Sequence, residues 1–135
     1  MNATIVKLDA SKLRSIGEIR VINTIINSSE SVSLMASGNI WVIDGSIVRS
    51  KNQVIVDSKN KIEIVDRSKV EGDTVDLKAL DSVESDKNSQ INGASRVFMD
   101  ASNSIFLSET SLTCPFVNIE GKSFINMNAL RLTKN

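Results

Sequence analysis

From residue 31 onward, apolar and polar positions alternate over short stretches and then break at Ser, Asn, Asp or Gly. Nine such pieces carry an apolar residue at each end of a triplet: Val32-Ser33-Leu34, Ile40-Trp41-Val42, Val54-Ile55-Val56, Ile62-Glu63-Ile64, Val75-Asp76-Leu77, Val97-Phe98-Met99, Ile105-Phe106-Leu107, Val117-Asn118-Ile119 and Ile125-Asn126-Met127. A period of two is that of a strand with one face buried, and Ile and Val joined by small polar residues are strand-and-turn composition. A 3.6-residue pattern is almost absent beyond the first twenty residues, so no helix is expected there.

The pieces repeat. The first-strand position recurs at Val32, Val54, Val75, Val97 and Val117, spaced 22, 21, 22 and 20. A second column, Ile40, Ile62, Val83, Ile105 and Ile125, keeps the same spacings, and a third runs Val48, Val70, Ile91, Leu112 and Leu132. Self-similarity at a fixed period of this length signals a solenoid. A period near 22 divided into three strands carries the chain once around a triangular prism and leaves it one strand spacing higher, about 4.8 Å. The expected fold is therefore all-β: a single-stranded, right-handed parallel β-helix of five to six coils, roughly 24 to 29 Å tall, with inward columns of Val and Ile as its core. The shorter hexapeptide-based period of left-handed solenoids fits less well. One period back from Ile40, Val42 and Val48 lie Ile19, Val21 and Ile26, which predicts a partial first coil.

Outward columns check the register. The same offsets place Asp57, Lys78 and Asp100 in one column and Asp66, Lys87 and Glu109 in another, both alternating in sign, and align Ser46, Ser68, Ser89 and Ser111 as a ladder of hydroxyls at a turn. Residues 1–17 stand apart from the repeat and form an N-terminal cap or arm, with the solenoid over 18–135. Ser11 can cap a short helix carrying Leu13 and Ile16 that Gly17 ends, a lid over an open sheet edge; the alternative is an arm with Ile5, Val6 and Leu8 pairing elsewhere.

Composition narrows the chemistry. Sixteen Lys+Arg balance sixteen Asp+Glu, and no run of basic residues offers a footprint for nucleic acid or an anionic membrane. With no His and one Cys, no Ser-His-Asp triad, Cys-His dyad, intramolecular disulfide or Cys/His zinc cluster can be built. No catalytic residue, metal ligand or cofactor site is therefore expected. Cys114, between Thr113 and Pro115, reads as a small buried residue. Gly38, Gly45, Gly72 and Gly93 fall at corners, where positive φ would account for them. No secretory signal and no long apolar segment are seen, which suggests a cytoplasmic or virion protein.

Two features remain. Asp44 over Asp66, with Arg67 and Lys87 near, is the best pair of stacked acids; large β-helices that act on acidic polysaccharides use such groups with calcium. The plain reading is a solvated turn whose charge Lys87 offsets. The second feature is a set of apolar residues at outward phases: Trp41, Ile43, Ile55 and Val65 in the first two coils, Phe98 and Phe106 in the fourth. They predict two lateral patches, either covered by long turns or the N-terminal segment, or serving as subunit interfaces.

The 22-residue period and its three columns resemble, in architecture, the short enzyme-free β-solenoids of bactofilin filaments and of bacteriophage spike, fibre and tail modules. The resemblance implies a structural or adhesive module presenting a rigid surface in a homo-oligomer, with a trimer favoured, in a virion or tail. The alternatives are a bactofilin-like polymer subunit and a carbohydrate-binding or carbohydrate-active protein using Asp44 and Asp66. Few residues follow Leu132, so the C-terminal face is expected to dock on another subunit or a larger component.

Overall fold

A computed structural model describes residues 5–7, 11–121 and 124–133, with side chains over 12–121. Its strands are β1 (Ile5–Lys7), β2 (Ser11–Ser15), β3 (Ile19–Ile22), β4 (Ile25–Ser28), β5 (Val32–Ala36), β6 (Ile40–Ile43), β7 (Ile47–Ser50), β8 (Gln53–Ser58), β9 (Lys61–Ile64), β10 (Lys69–Ala79), β11 (Ser82–Ser85), β12 (Ser89–Ala101), β13 (Ser104–Thr113), β14 (Val117–Gly121) and β15 (Phe124–Thr133). Every pairing is parallel, and together they make three ladders of a β-solenoid.

The first ladder stacks β2, β5, β8, the later half of β10, the later half of β12, and β14. The second stacks β3, β6, β9, β11 and the earlier halves of β13 and β15. The third runs from β1 and β4 through β7 to the earlier halves of β10 and β12 and the later halves of β13 and β15. The longest strands turn a corner without a break and so serve two ladders each.

The three sequence columns are in register throughout: Val32, Val54, Val75, Val97 and Val117 pair in turn, as do Ile40 through Ile125 and Val48 through Leu132. From Val32 to Leu112 the column members with described side chains are fully buried. The reason is geometric: a side chain pointing into the prism is sealed by its own strand and by its equivalents one rung above and below. Fully burying one Val, Leu or Ile contributes roughly 1.5–3 kcal/mol, so the columns are the main source of stability.

The chain departs from the expected pattern at its N-terminal end. No helix forms over residues 11–17. Ser11–Ser15 is a strand in which Leu13 pairs with Leu34, and Ile16 is 97% exposed. The ready strand edge of β5, on which Leu13 packs against the core beside Leu34, prevails over the capping signal of Ser11. Ile5–Lys7 pairs with β4, so strand pairing reaches back past residue 18. Leu8 lies outside the described residues.

Candidate functional surface: corners and outward faces

The corner between the second and third ladders is built from left-handed backbone. Asn23, Asp44, Gly45, Asp66, Arg67, Lys87, Asn88 and Glu109 all have φ between 45° and 73°. Asn, Asp and Gly adopt this region readily, whereas Arg and Lys do so at a cost of roughly 1–2 kcal/mol. Rung-to-rung bonds hold the corner: Gly45 N–H donates to Asp66 O, Arg67 to Lys87 O and Asn88 to Glu109 O. Beneath it lies a column of buried hydroxyls, Thr24, Ser46, Ser68, Ser89 and Thr110. Ser46 Oγ donates to Ile43 O at 2.6 Å, Ser68 to Val65 O at 2.7 Å and Ser89 to Asp86 O at 2.8 Å, so each buried hydroxyl is satisfied by the carbonyl three residues before it. The column ends at Thr110 instead of Ser111, because Ser89 pairs with Thr110 and Ser111 faces Gln90.

Asp44 and Asp66 do share this corner. With Gly45, Arg67, Lys87 and Asn88 they line an open depression of about 640 Å³. Lys87 Nζ sits 3.5 Å from Asp66 Oδ1, so the cation closes on the acid from the rung above. Among the described residues, no three His, Cys, Asp or Glu side chains gather as a metal site. Of the corner glycines, only Gly45 has positive φ. The other three mark close approach instead: a Cβ on Gly93 would meet Arg96 O at 2.5 Å, which the backbone cannot accommodate without shifting, and those on Gly38 and Gly72 would lie a tight 3.1 Å from Gly17 O and Val54 Cγ2.

A second polar corner, which the sequence reading does not contain, lies between the first and second ladders. Asn60 Nδ2 donates to Asn39 Oδ1 at 2.7 Å, Asp81 N–H to Asn60 O at 2.8 Å, and Asn103 Nδ2 to Asp81 Oδ1 at 3.1 Å. The signal was present, since these residues fall 21, 21 and 22 apart, on the period of the core columns.

The outward apolar residues are half-buried and divide by face, not by coil as the sequence suggested. Trp41, Ile43 and Val65 lie together on the second face, with Phe106 further up it; Ile55 and Phe98 belong to the first face. Trp41 is partly covered: the Arg20 guanidinium stands 4.9 Å from its ring centroid, and Arg20 Nε bonds Glu18 Oε2 at 3.0 Å. Between Trp41 and Phe106, Glu63 and Glu84 meet on neighbouring rungs. Partial burial, a hydrogen bond to Glu63 and the like charges of Glu63 and Asp81 hold Glu84 above the ordinary carboxylate value, against the pull of Lys61. Leu132 pairs with Leu112 on the third ladder; its side chain is outside those described. Cys114 is buried, and burial pushes its thiol pKa up, away from nucleophilic use.

No family model matches the chain, and neither a curated protein nor a solved structure does. Among the described residues no helix is long and apolar enough to cross a membrane.

Proposed function

We propose that the protein is a non-enzymatic structural or adhesive β-solenoid that presents a rigid surface within a homo-oligomer, as a component of a virion, tail or fibre-like assembly. The observation that carries this reading is the uninterrupted stacking of three parallel ladders from β2 to β15 with only short corners between them. A prism of this kind has flat, stiff faces, and half-buried Trp41, Ile43 and Val65 on one face and Ile55 and Phe98 on another are suited to contact with a partner. Enzymes on solenoids need loops that wall a cleft, and the corners here are too short to make one. The virion and tail part of the proposal draws on the architectural resemblance. Use of the Asp44 and Asp66 corner for carbohydrate is disfavoured by the Asp66–Lys87 ion pair, which satisfies the acid within the chain.

Sedimentation equilibrium tests the reading. At tens of micromolar the protein should be an oligomer, and a clean monomer would overturn the homo-oligomeric role.

A further inference from the structure

Two outward columns of the first face carry most of its charge. From the first rung to the sixth, one reads Lys12, Ser33, Ile55, Asp76, Phe98 and Asn118; the other reads Arg14, Met35, Asp57, Lys78, Asp100 and Glu120. The face is thus basic on its first rung and acidic on its last, and of mixed sign between, where Arg96 of a third outward column with Gln53 and Thr74 shares the fifth rung with Asp100. Among the described residues the close ion pairs are Glu18–Arg20 and Asp66–Lys87, so the charges of these columns are not spent on contact pairs within the chain.

We propose that this face binds the same face of a second copy, with the two solenoids antiparallel about a two-fold axis that runs along the strand direction between the third and fourth rungs. This rests on the homo-oligomeric reading above and assigns it a surface and a symmetry. Such an axis reverses the order of rungs and lays each column against itself, so the first rung meets the partner's sixth, the second its fifth and the third its fourth. Arg14 then faces Glu120 and Asp57 faces Lys78, each pair occurring twice. On the second and fifth rungs Met35 faces Asp100 and Ser33 faces Phe98, with Met35 and Phe98 diagonal to one another. Asp76 is already held by Gln53 Nε2 at 2.7 Å and needs no partner.

Other arrangements of the same face carry a penalty. A two-fold along the solenoid axis keeps each rung against itself and swaps the columns, which sets Lys12 on Arg14. Sliding the antiparallel pair by one rung places Asp57 on Asp57 or Lys78 on Lys78. Like-charge contacts of this kind select register and partner more than they set affinity. On the second face the antiparallel operation would set Glu63 on Glu84, adding a copy's acids to a pair that already repels. The charge order therefore favours a two-fold pair through the first face over the side-by-side trimer that the resemblance suggests.

Six rungs at about 4.8 Å and strands some five residues wide give a face on the order of 400 Å² per copy, about half of what a standard stable interface buries on each partner. The pair should accordingly be weak and transient, and weaken further with salt.

Arg14 and Glu120 provide the test, because they stand at opposite ends of the face, five rungs and about 24 Å apart in one chain, too far to interact there. Sedimentation equilibrium of the full chain at low ionic strength should give a dimer for the wild type. Arg14→Glu and Glu120→Arg should each weaken dimerisation about tenfold, and the double variant should return to within about threefold of the wild type. Circular dichroism should show all three variants folded, since both positions are exposed. An oligomer that ignores the single reversals, a double variant that is not rescued, or a wild-type trimer would overturn the assigned face and symmetry while leaving the homo-oligomeric reading intact. A monomeric wild type would overturn that reading itself.

Discussion

Ile62 and Glu63 are neighbours in one strand and live under opposite rules. Ile62 is fully buried, with Ile40 below and Val83 above it, whereas Glu63 is half-buried on the second face, between Trp41 and Glu84. An inward position must be apolar and of similar size to its column neighbours, because every rung restricts the next. An outward position is restrained only by charge and shape along its own column. The inside of the solenoid therefore specifies the fold, and the outside is left free to specify partners.

The sharpest way to break this contrast is to place the same charge on both sides of one wall. Ile62→Asp buries a carboxylate with no cation in reach, at a cost of several kcal/mol, and should unfold the domain. Ile55→Asp puts the charge on an outward phase and should leave the far-ultraviolet dichroism and cooperative melt of the monomer in place. Equal unfolding of both, or of neither, would show that the inward and outward assignments are mistaken.

Corners sit between the two regimes, and two glycines separate their rules. Gly93→Ala drives a methyl into a backbone oxygen at 2.5 Å, so the strand must shift; about 1–3 kcal/mol of stability should be lost. Gly45→Ala meets nothing within 4 Å, and its cost is only that of a side chain at φ 73°, about 1 kcal/mol. Thermal melts that rank Gly45→Ala as the worse of the two would refute the steric account of Gly93.

How much of this was legible follows from the same division. The inward columns were readable because a buried strand face admits little besides Ile, Val, Leu and Met, so period and register survive in the letters. The N-terminal strand is not legible because Leu13 is the one apolar residue of β2, too few to show alternation, while Ser11 and Gly17 have the look of helix ends. The hydroxyl column slipped by one at Ser111 because the coil from Ser89 is 21 residues long and both Thr110 and Ser111 carry a hydroxyl. The outward patches were grouped by coil because sequence offset alone does not say which face of the prism a strand occupies. Gly38, Gly72 and Gly93 mark close approach, whereas most left-handed positions carry Asp, Asn, Arg, Lys or Glu, so glycine was a poor guide to φ.

A hydroxyl buried without a partner gives a smaller test of the same boundary. Ser82 Oγ is buried and makes no hydrogen bond. Removing an unsatisfied polar group relieves its desolvation, so Ser82→Ala should raise stability by up to about 1 kcal/mol. A destabilised alanine variant in urea denaturation would show that the hydroxyl is satisfied in solution.

The smallest effect comes from the outward acids, and its sign can be worked out. Glu84 has its pKa raised in the folded protein above the ordinary value of 4.5, chiefly by burial and then by Glu63. The folded state consequently binds this proton more tightly than the unfolded chain does. Its stabilising contribution is fully present below the unfolded value and is lost as pH rises through the folded one, so Glu84 makes the protein less stable at neutral pH than in mild acid. Glu63→Gln removes the like charge and leaves the burial. It should raise stability at pH 7 by a few tenths of a kcal/mol, the scale of one cross-strand pair, with the gain shrinking toward pH 4 as Glu84 takes up its proton. Glu84→Gln should abolish both contributions and flatten the pH dependence further than Glu63→Gln does. Urea titrations of the three proteins at pH 4 and 7 would decide it; a gain for Glu63→Gln that is the same at both values would mean that the two acids do not share a proton-dependent interaction across the rungs.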